Sequence, residues 1–212
     1  MIRLNCLSYE TDDDTGSIHF RDSDGKPTAI PVGGTSQASL NFSLDPFSVL
    51  EYETGGQGQL KSGSVSVVSN DQFSRLEASE VFDVLGNFVS LDPSPNRTVH
   101  QVYVSFTPTE CTGIAAYNPS SEAIKIDAFL LSSGGEERAD TVIHMAANQQ
   151  FAVFIDGSKL FATYFSLHPE EFQGTLNLRV RDSKKVAIVG LIQKKQTGAL
   201  IAIASGDKAF SR

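Results

Sequence analysis

The same order of pattern elements occurs twice in this chain, about 110 residues apart, and no other feature restricts its fold as much. The first half reads TGSIHFRDSDGKP, LDPFSVLEYET and SGSVSVVSND; the second reads EAIKIDAFLLSSGGEE, NQQFAVFIDGS and FQGTLNLRVRDSK. Each copy runs through an alternating segment, a glycine turn, two further alternating segments and an apolar run. Alternation of apolar and polar residues marks half-buried strands. Solenoid units are usually about 20–50 residues, so a period this long predicts a pair of whole domains. The expectation is two tandem antiparallel β-sandwich domains, immunoglobulin-like, at residues 1–97 and 98–212, each with roughly seven or eight short strands.

The second copy is the more regular. In HQVYVSF, Val102, Val104 and Phe106 alternate with Gln101, Tyr103 and Ser105. In TLNLRVR, Leu176, Leu178 and Val180 face one way and Asn177, Arg179 and Arg181 the other. Ser132-Ser133-Gly134-Gly135 predicts a turn, since glycine takes positive φ without steric cost. VAIVGLI and ALIAIA are nearly continuous apolar runs, which predicts central strands buried on both faces. SKLFATYFSLHPEEF is the one helix-like piece, with Ser158 as its cap and Pro169 near its end. In the first copy Leu76 to Val84 has helical propensity, but its partner segment is strongly β-prone, so strands are expected there. Asp92-Pro93-Ser94-Pro95-Asn96 reads as a stiff linker. One mismatch stands out. HQVYVSF precedes the CTGIAAYN strand, whereas nothing equivalent precedes IRLNCLSY, so the first domain is expected to lack its opening strand, or the chain to start inside a longer protein. Unpaired edges recruit partners.

Composition restricts function. With 14 Phe and no Trp, phenylalanine is the main bulky core residue. A net charge of −8 argues against general affinity for nucleic acid or anionic lipid. No apolar stretch is long enough to span a membrane. Met1 leads directly into a strand-like run with neither a basic n-region nor an apolar h-region, so no signal peptide is read; the chain is either cytosolic or has lost an upstream portion. Cys6 and Cys111 are too few for a disulfide framework. A bridge between them would join the two domains, and two half-buried free thiols are the simpler reading.

Several pieces of the second copy carry a family resemblance: Asn118-Pro119-Ser120, Phe151-Ala152-Val153, Phe172-Gln173-Gly174-Thr175-Leu176 and Val186-Ala187-Ile188-Val189-Gly190-Leu191. The first copy has a weaker set in Asp22-Ser23-Asp24-Gly25-Lys26-Pro27 and Leu44-Asp45-Pro46. Together they resemble uncharacterised tandem repeats of secreted bacterial proteins, over nearly the whole chain. The resemblance implies β-sandwich units strung along an exported or cell-surface protein and supplies no catalytic residues.

Catalytic chemistry finds little support. No Gly-x-Ser-x-Gly turn is present, and none of His19, His100, His144 and His168 has the spacing of zinc ligands. The best cation candidate is Asp22 with Asp24, where carboxylates two apart precede a glycine as in part of a calcium loop. The remaining oxygens of such a loop are missing, and Asp and Gly are ordinary turn formers. Asp12-Asp13-Asp14 lies at the other end of the same strand. For glycan stacking, Tyr103 on the polar face of its strand is the best single residue. Arg179, Arg181, Lys184, Lys185, Lys194 and Lys195 gather toward the C-terminus, which suits either head-to-tail contact or a solvated strand face. The expectation is a non-enzymatic structural or adhesive module without a cofactor (calcium aside), acting through protein contacts or self-association at an exposed strand edge. A polysaccharide-binding accessory domain and a fibre subunit assembled by strand exchange are the alternatives.

Overall fold

The computed structural model describes residues 2–8, 13–54, 63–71, 76–84, 87–91, 94–156, 159–168, 171–203 and 205–206. They form antiparallel strands almost throughout, in two compact units, Met1–Pro93 and Ser94–Arg212.

The first unit contains β1 (Ile2–Leu7), β2 (Asp14–Asp22), β3 (Ile30–Val32), β4 (Thr35–Gln37), β5 (Ser39–Leu44), β6 (Val49–Glu53), β7 (Gly63–Ser69), β8 (Glu77–Val84) and β9 (Asn87–Leu91). One sheet has the order β6-β1-β8-β9 and the other β5-β2-β7, with β3 and β4 as a small hairpin. Along β2, buried Ile18 and Phe20 alternate with Ser17 and His19. Cys6 from one sheet and Ile18, Phe20, Leu40, Phe42 and Leu44 from the other share one buried cluster, so the two sheets face each other as in a sandwich.

The second unit contains β10 (Val99–Phe106), β11 (Glu110–Tyr117), β12 (Ile124–Ser132), β13 (Glu137–Met145), β14 (Gln150–Phe154), α1 (Ala162–Leu167), β15 (Phe172–Val180), β16 (Ala187–Lys194) and β17 (Leu200–Ile203). Its strands run β13-β12-β15-β10-β11-β16-β17, with β14 also on β11. β10 and β11 touch at the single pair Phe106–Cys111, so the sheet turns a corner there. Two layers result, β13-β12-β15-β10 and β14-β11-β16-β17. Between them lie Val102, Val104, Ile114, Ile126, Leu130, Ile155, Leu176, Leu178 and Ile188, closed at one end by Phe161 and Phe165. The β11–β14 and β12–β15 pairings are those of strands B–E and C–F in an immunoglobulin sandwich. β10 takes the place beside F that strand G holds there, and β16 the place beside B that strand A holds.

Strand for strand, β6-β1-β8-β9 matches β14-β11-β16-β17, and β5-β2-β7 matches β13-β12-β15. Local geometry agrees. Gly25 and Gly135 turn at φ 81 and 83, and Phe47 and Asn148 both at φ 56. Gly63 starts β7 opposite Asp22, and Gly174 stands near the start of β15 opposite Ser132; a Cβ on either would collide with a carbonyl oxygen of the neighbouring strand, of Arg21 or of Leu131. Among the described residues of the first unit, β10 has no counterpart.

Some expectations change. β16 is central, but it alternates: Ile188, Gly190 and Ile192 are buried and the residues between them half-buried. β17 is an edge strand with Ile201 46% exposed, because β16 is its only strand partner among the described residues. Leu76–Val84 contributes a strand, β8, whose pairing with both β1 and β9 outweighs its helical propensity. α1 begins after Phe161 at φ 57 without a side-chain cap; Ser158 and Pro169 lie outside the described residues. The second unit starts at Ser94, inside the segment read as linker. The Ser94 hydroxyl accepts from the Ile188 N–H and donates to its carbonyl (2.8 and 2.7 Å), and Arg97 pairs through its backbone with Val186.

Candidate functional site

Asp22 caps its own turn. Its Oδ1 accepts from the Asp24 and Lys26 N–H groups at 3.0 and 2.9 Å, while Arg21 Nη1 donates to the Gly25 carbonyl. In the second unit, Ser132 Oγ accepts from the Glu136 N–H at the corresponding turn. The carboxylate therefore serves the local backbone. Among the described residues no group of three or more His, Cys, Asp or Glu side chains is placed to hold a metal ion. Asp14, at the far end of β2, is buried and accepts from Ser69 Oγ at 2.8 Å; Asp12 lies outside the described residues.

Tyr103 is 44% exposed on the outer face of β10, opposite Thr175. A shallow groove on that face is lined by Val99, Phe129, Leu131, Asn177 and Arg179, and Tyr103 does not belong to the lining. The ring contacts among the described residues gather instead around α1, where Phe165 meets Phe106 and Phe172 edge-on. The C-terminal basic residues are largely matched within their own unit. Arg181 grips Asp127 with both carboxylate oxygens in reach, Lys184 meets Glu122 at 2.8 Å, and Lys194 meets Glu110. These cations hold the Asp127, Glu122 and Glu110 carboxyls below the ordinary range. His100 is buried between Ser205 Oγ and the Val186 carbonyl, and burial pushes its pKa down. Cys6 and Cys111 are free, buried thiols, and burial raises Cys6 to about 11.

The feature that sets the first unit apart is the outer edge of β7. In the second unit β15 is covered along its length by β10, from Val99–Arg179 to Phe106–Phe172. Leu176 and Leu178 beneath it are fully buried, as are Val102 and Val104. Phe20 and Ile18 pair with Val65 and Val67 as Leu130 and Ala128 pair with Leu176 and Leu178. Among the described residues β7 ends its sheet, and Val65 and Val67 are only half-buried against the core.

Glu80 lies in the facing sheet. Cys6 pairs with Ala78 as Ala116 pairs with Ile188, so Glu80, two residues on, occupies the place of Gly190. Leu76 and Ala78 pack on the core, and strand alternation turns Glu80 the same way. At Gly190 a Cβ would lie 2.6 Å from Ile203 of β17 and 2.8 Å from Val102 of β10, so glycine there makes room for side chains of both strands. By this register the Glu80 side chain stands on the core face of β8, at the position that Gly190 holds beside Val102 in the second unit. It has no hydrogen-bond or ion-pair partner among the described residues, and burial raises its pKa to about 7. The sequence reading did not single out Glu80; the signal was a glutamate in SEVFDV where the second copy has the glycine of AIVGLI. Fold and edge together define an all-β chain of sandwich-like antiparallel sheets, one layer of which ends on an uncovered strand among the described residues. Comparisons with protein-family models, with curated proteins and with solved structures return no match to this chain.

Proposed function

We propose that this chain is a non-catalytic structural module built from two copies of one sandwich plan, and that it works through protein–protein contact at the β7 edge. One observation carries the reading: the edge that β10 covers in the second unit is bare of strands, among the described residues, in the first. A bare edge offers a row of backbone donors and acceptors, and an added strand gains both main-chain hydrogen bonds and burial of alternate side chains. Val65 and Val67 supply that apolar surface. The exported or cell-surface setting is part of the proposal and rests on the motif resemblance. No helix among the described residues is long and apolar enough to cross a membrane.

Hydrogen exchange on the full chain, run beside light scattering, tests the reading. In a sample of monomer mass, 22.9 kDa, the outward-facing amides of β7 should exchange far faster than those of its covered neighbour β2. In assembled or partner-bound material they should slow. A monomer in which every β7 amide is as slow as those of β2 would mean the edge is already closed, and the proposal would be lost.

A further inference from the structure

We infer that the slot beside β7 takes an extended segment of a partner polypeptide, running antiparallel to β7, with a lysine or arginine at the position paired with Val65 and an apolar residue two places further on, opposite Gly63. The inference rests on the strand-addition reading above and names the chemistry of the added strand.

The second unit supplies the template. Its covering strand places His100 against Leu178, Val102 against Leu176 and Val104 against Gly174. The corresponding β7 positions are Val67, Val65 and Gly63. Val102 of this strand and Ile203 of β17 together leave no room for a side chain at Gly190. In the first unit that floor position is Glu80. A valine above it would crowd the glutamate side chain and strip water from a carboxylate that has no partner among the described residues. Burying an unpaired charge is costly, so a strand of β10 chemistry is disfavoured. Inward-pointing charge is one of the ways edges are kept from unwanted strands. A long cationic side chain reverses the balance, since it reaches down to the carboxylate and forms a charge-assisted hydrogen bond in a partly water-excluded place. Glu80 thus discriminates between strands: it opposes an apolar one and attracts one carrying a cation at a single register position. Val65, Val67 and Ala78, which pack on the same core, are uncharged, so Glu80 provides the charge that sets the register.

Two synthetic peptides test this on the full chain, one with the sequence of residues 98–106, TVHQVYVSF, and one with Val102→Lys in that sequence. Affinity is measured by fluorescence anisotropy, and the site of binding by protection of β7 amides. The lysine peptide should bind at least about tenfold more tightly than its parent. Glu80→Gln should abolish that preference, and Glu80→Gly should favour the parent peptide. If both peptides protect β7 equally whatever stands at position 80, strand addition survives and the cation requirement is overturned. If neither protects β7, both readings fail together. If β7 is protected in a dimer formed by the chain alone, a second copy fills the slot and the cation-bearing partner is overturned.

Discussion

Glu80 is the residue at which the two units differ most in chemistry, and its ionisation couples to folding. Its pKa is about 7 in the folded chain, raised by burial from an ordinary value of 4.5. The folded state therefore holds a proton that the unfolded state has released over the range between those values. Stability is greatest below pH 4.5 as far as this group is concerned, falls as pH rises, and levels off above pH 7. Glu80→Gln removes the charge while keeping the shape. The substitution should stabilise the first unit by about 2 kcal/mol at pH 8, allowing for partial exposure, and should have almost no effect at pH 4.5. Urea titrations of both proteins at the two pH values measure this. An equal effect at both would show that the carboxylate is solvated and outside the sandwich. Gly63 and Gly174 illustrate the opposite case, positions at which the units agree because backbone approach leaves no alternative.

At the scale of elements, what was legible in the sequence is what depends on local alternation. β2, β12 and β15 announce themselves through alternation, Ile18 and Phe20 in β2 and longer apolar series in β12 and β15, and the turns at Gly25 and Gly135 because glycine accepts positive φ. The mismatch between what precedes CTGIAAYN and what precedes IRLNCLSY was legible too, and among the described residues of the first unit β10 has no counterpart. Position within a sheet was not legible. ALIAIA has the composition of a central strand, yet β17 lies at an edge, because neighbours are chosen by topology and not by hydrophobicity. The site itself was half legible: the mismatch drew attention to a strand edge, which the topology among the described residues puts at β7, whereas Glu80 needed the β1–β8 register to become visible. β10 gives the element-level prediction. Val102 is fully buried over Gly190, so Val102→Lys in the intact chain forces a cation into an apolar layer with no carboxylate at that position. It should destabilise the second unit by on the order of 3 kcal/mol or more, seen as a lower midpoint in denaturant. The same substitution in the free peptide should strengthen binding to the first unit. Tolerance of lysine at position 102 would mean that the Val102 contact does not govern the fit of the covering strand.

For the whole molecule, one pairing scheme is carried out to different degrees of completion. In the second unit the layer β13-β12-β15-β10 is four strands wide and Gly190 stands beneath Val102; in the first, β5-β2-β7 stops one strand short among the described residues and Glu80 holds the position of that glycine. Opening free energies within a chain follow local burial and backbone coverage, so the two units should differ in native-state exchange at matched positions. Amides of Ile18 and Phe20 in β2 should exchange faster, after correction for intrinsic rates, than those of Ala128 and Leu130 in β12. Because protonation of Glu80 stabilises the first unit, the corrected gap should narrow as pH falls from 8 to 5. The lysine-bearing strand should narrow it too, at pH 8, by occupying the edge and pairing the charge. It should leave β12 and β15 unchanged, since β10 already covers β15 and β12 lies between β13 and β15. A gap that responds to neither proton nor peptide would place the difference in stability elsewhere in the first unit and detach it from the open edge.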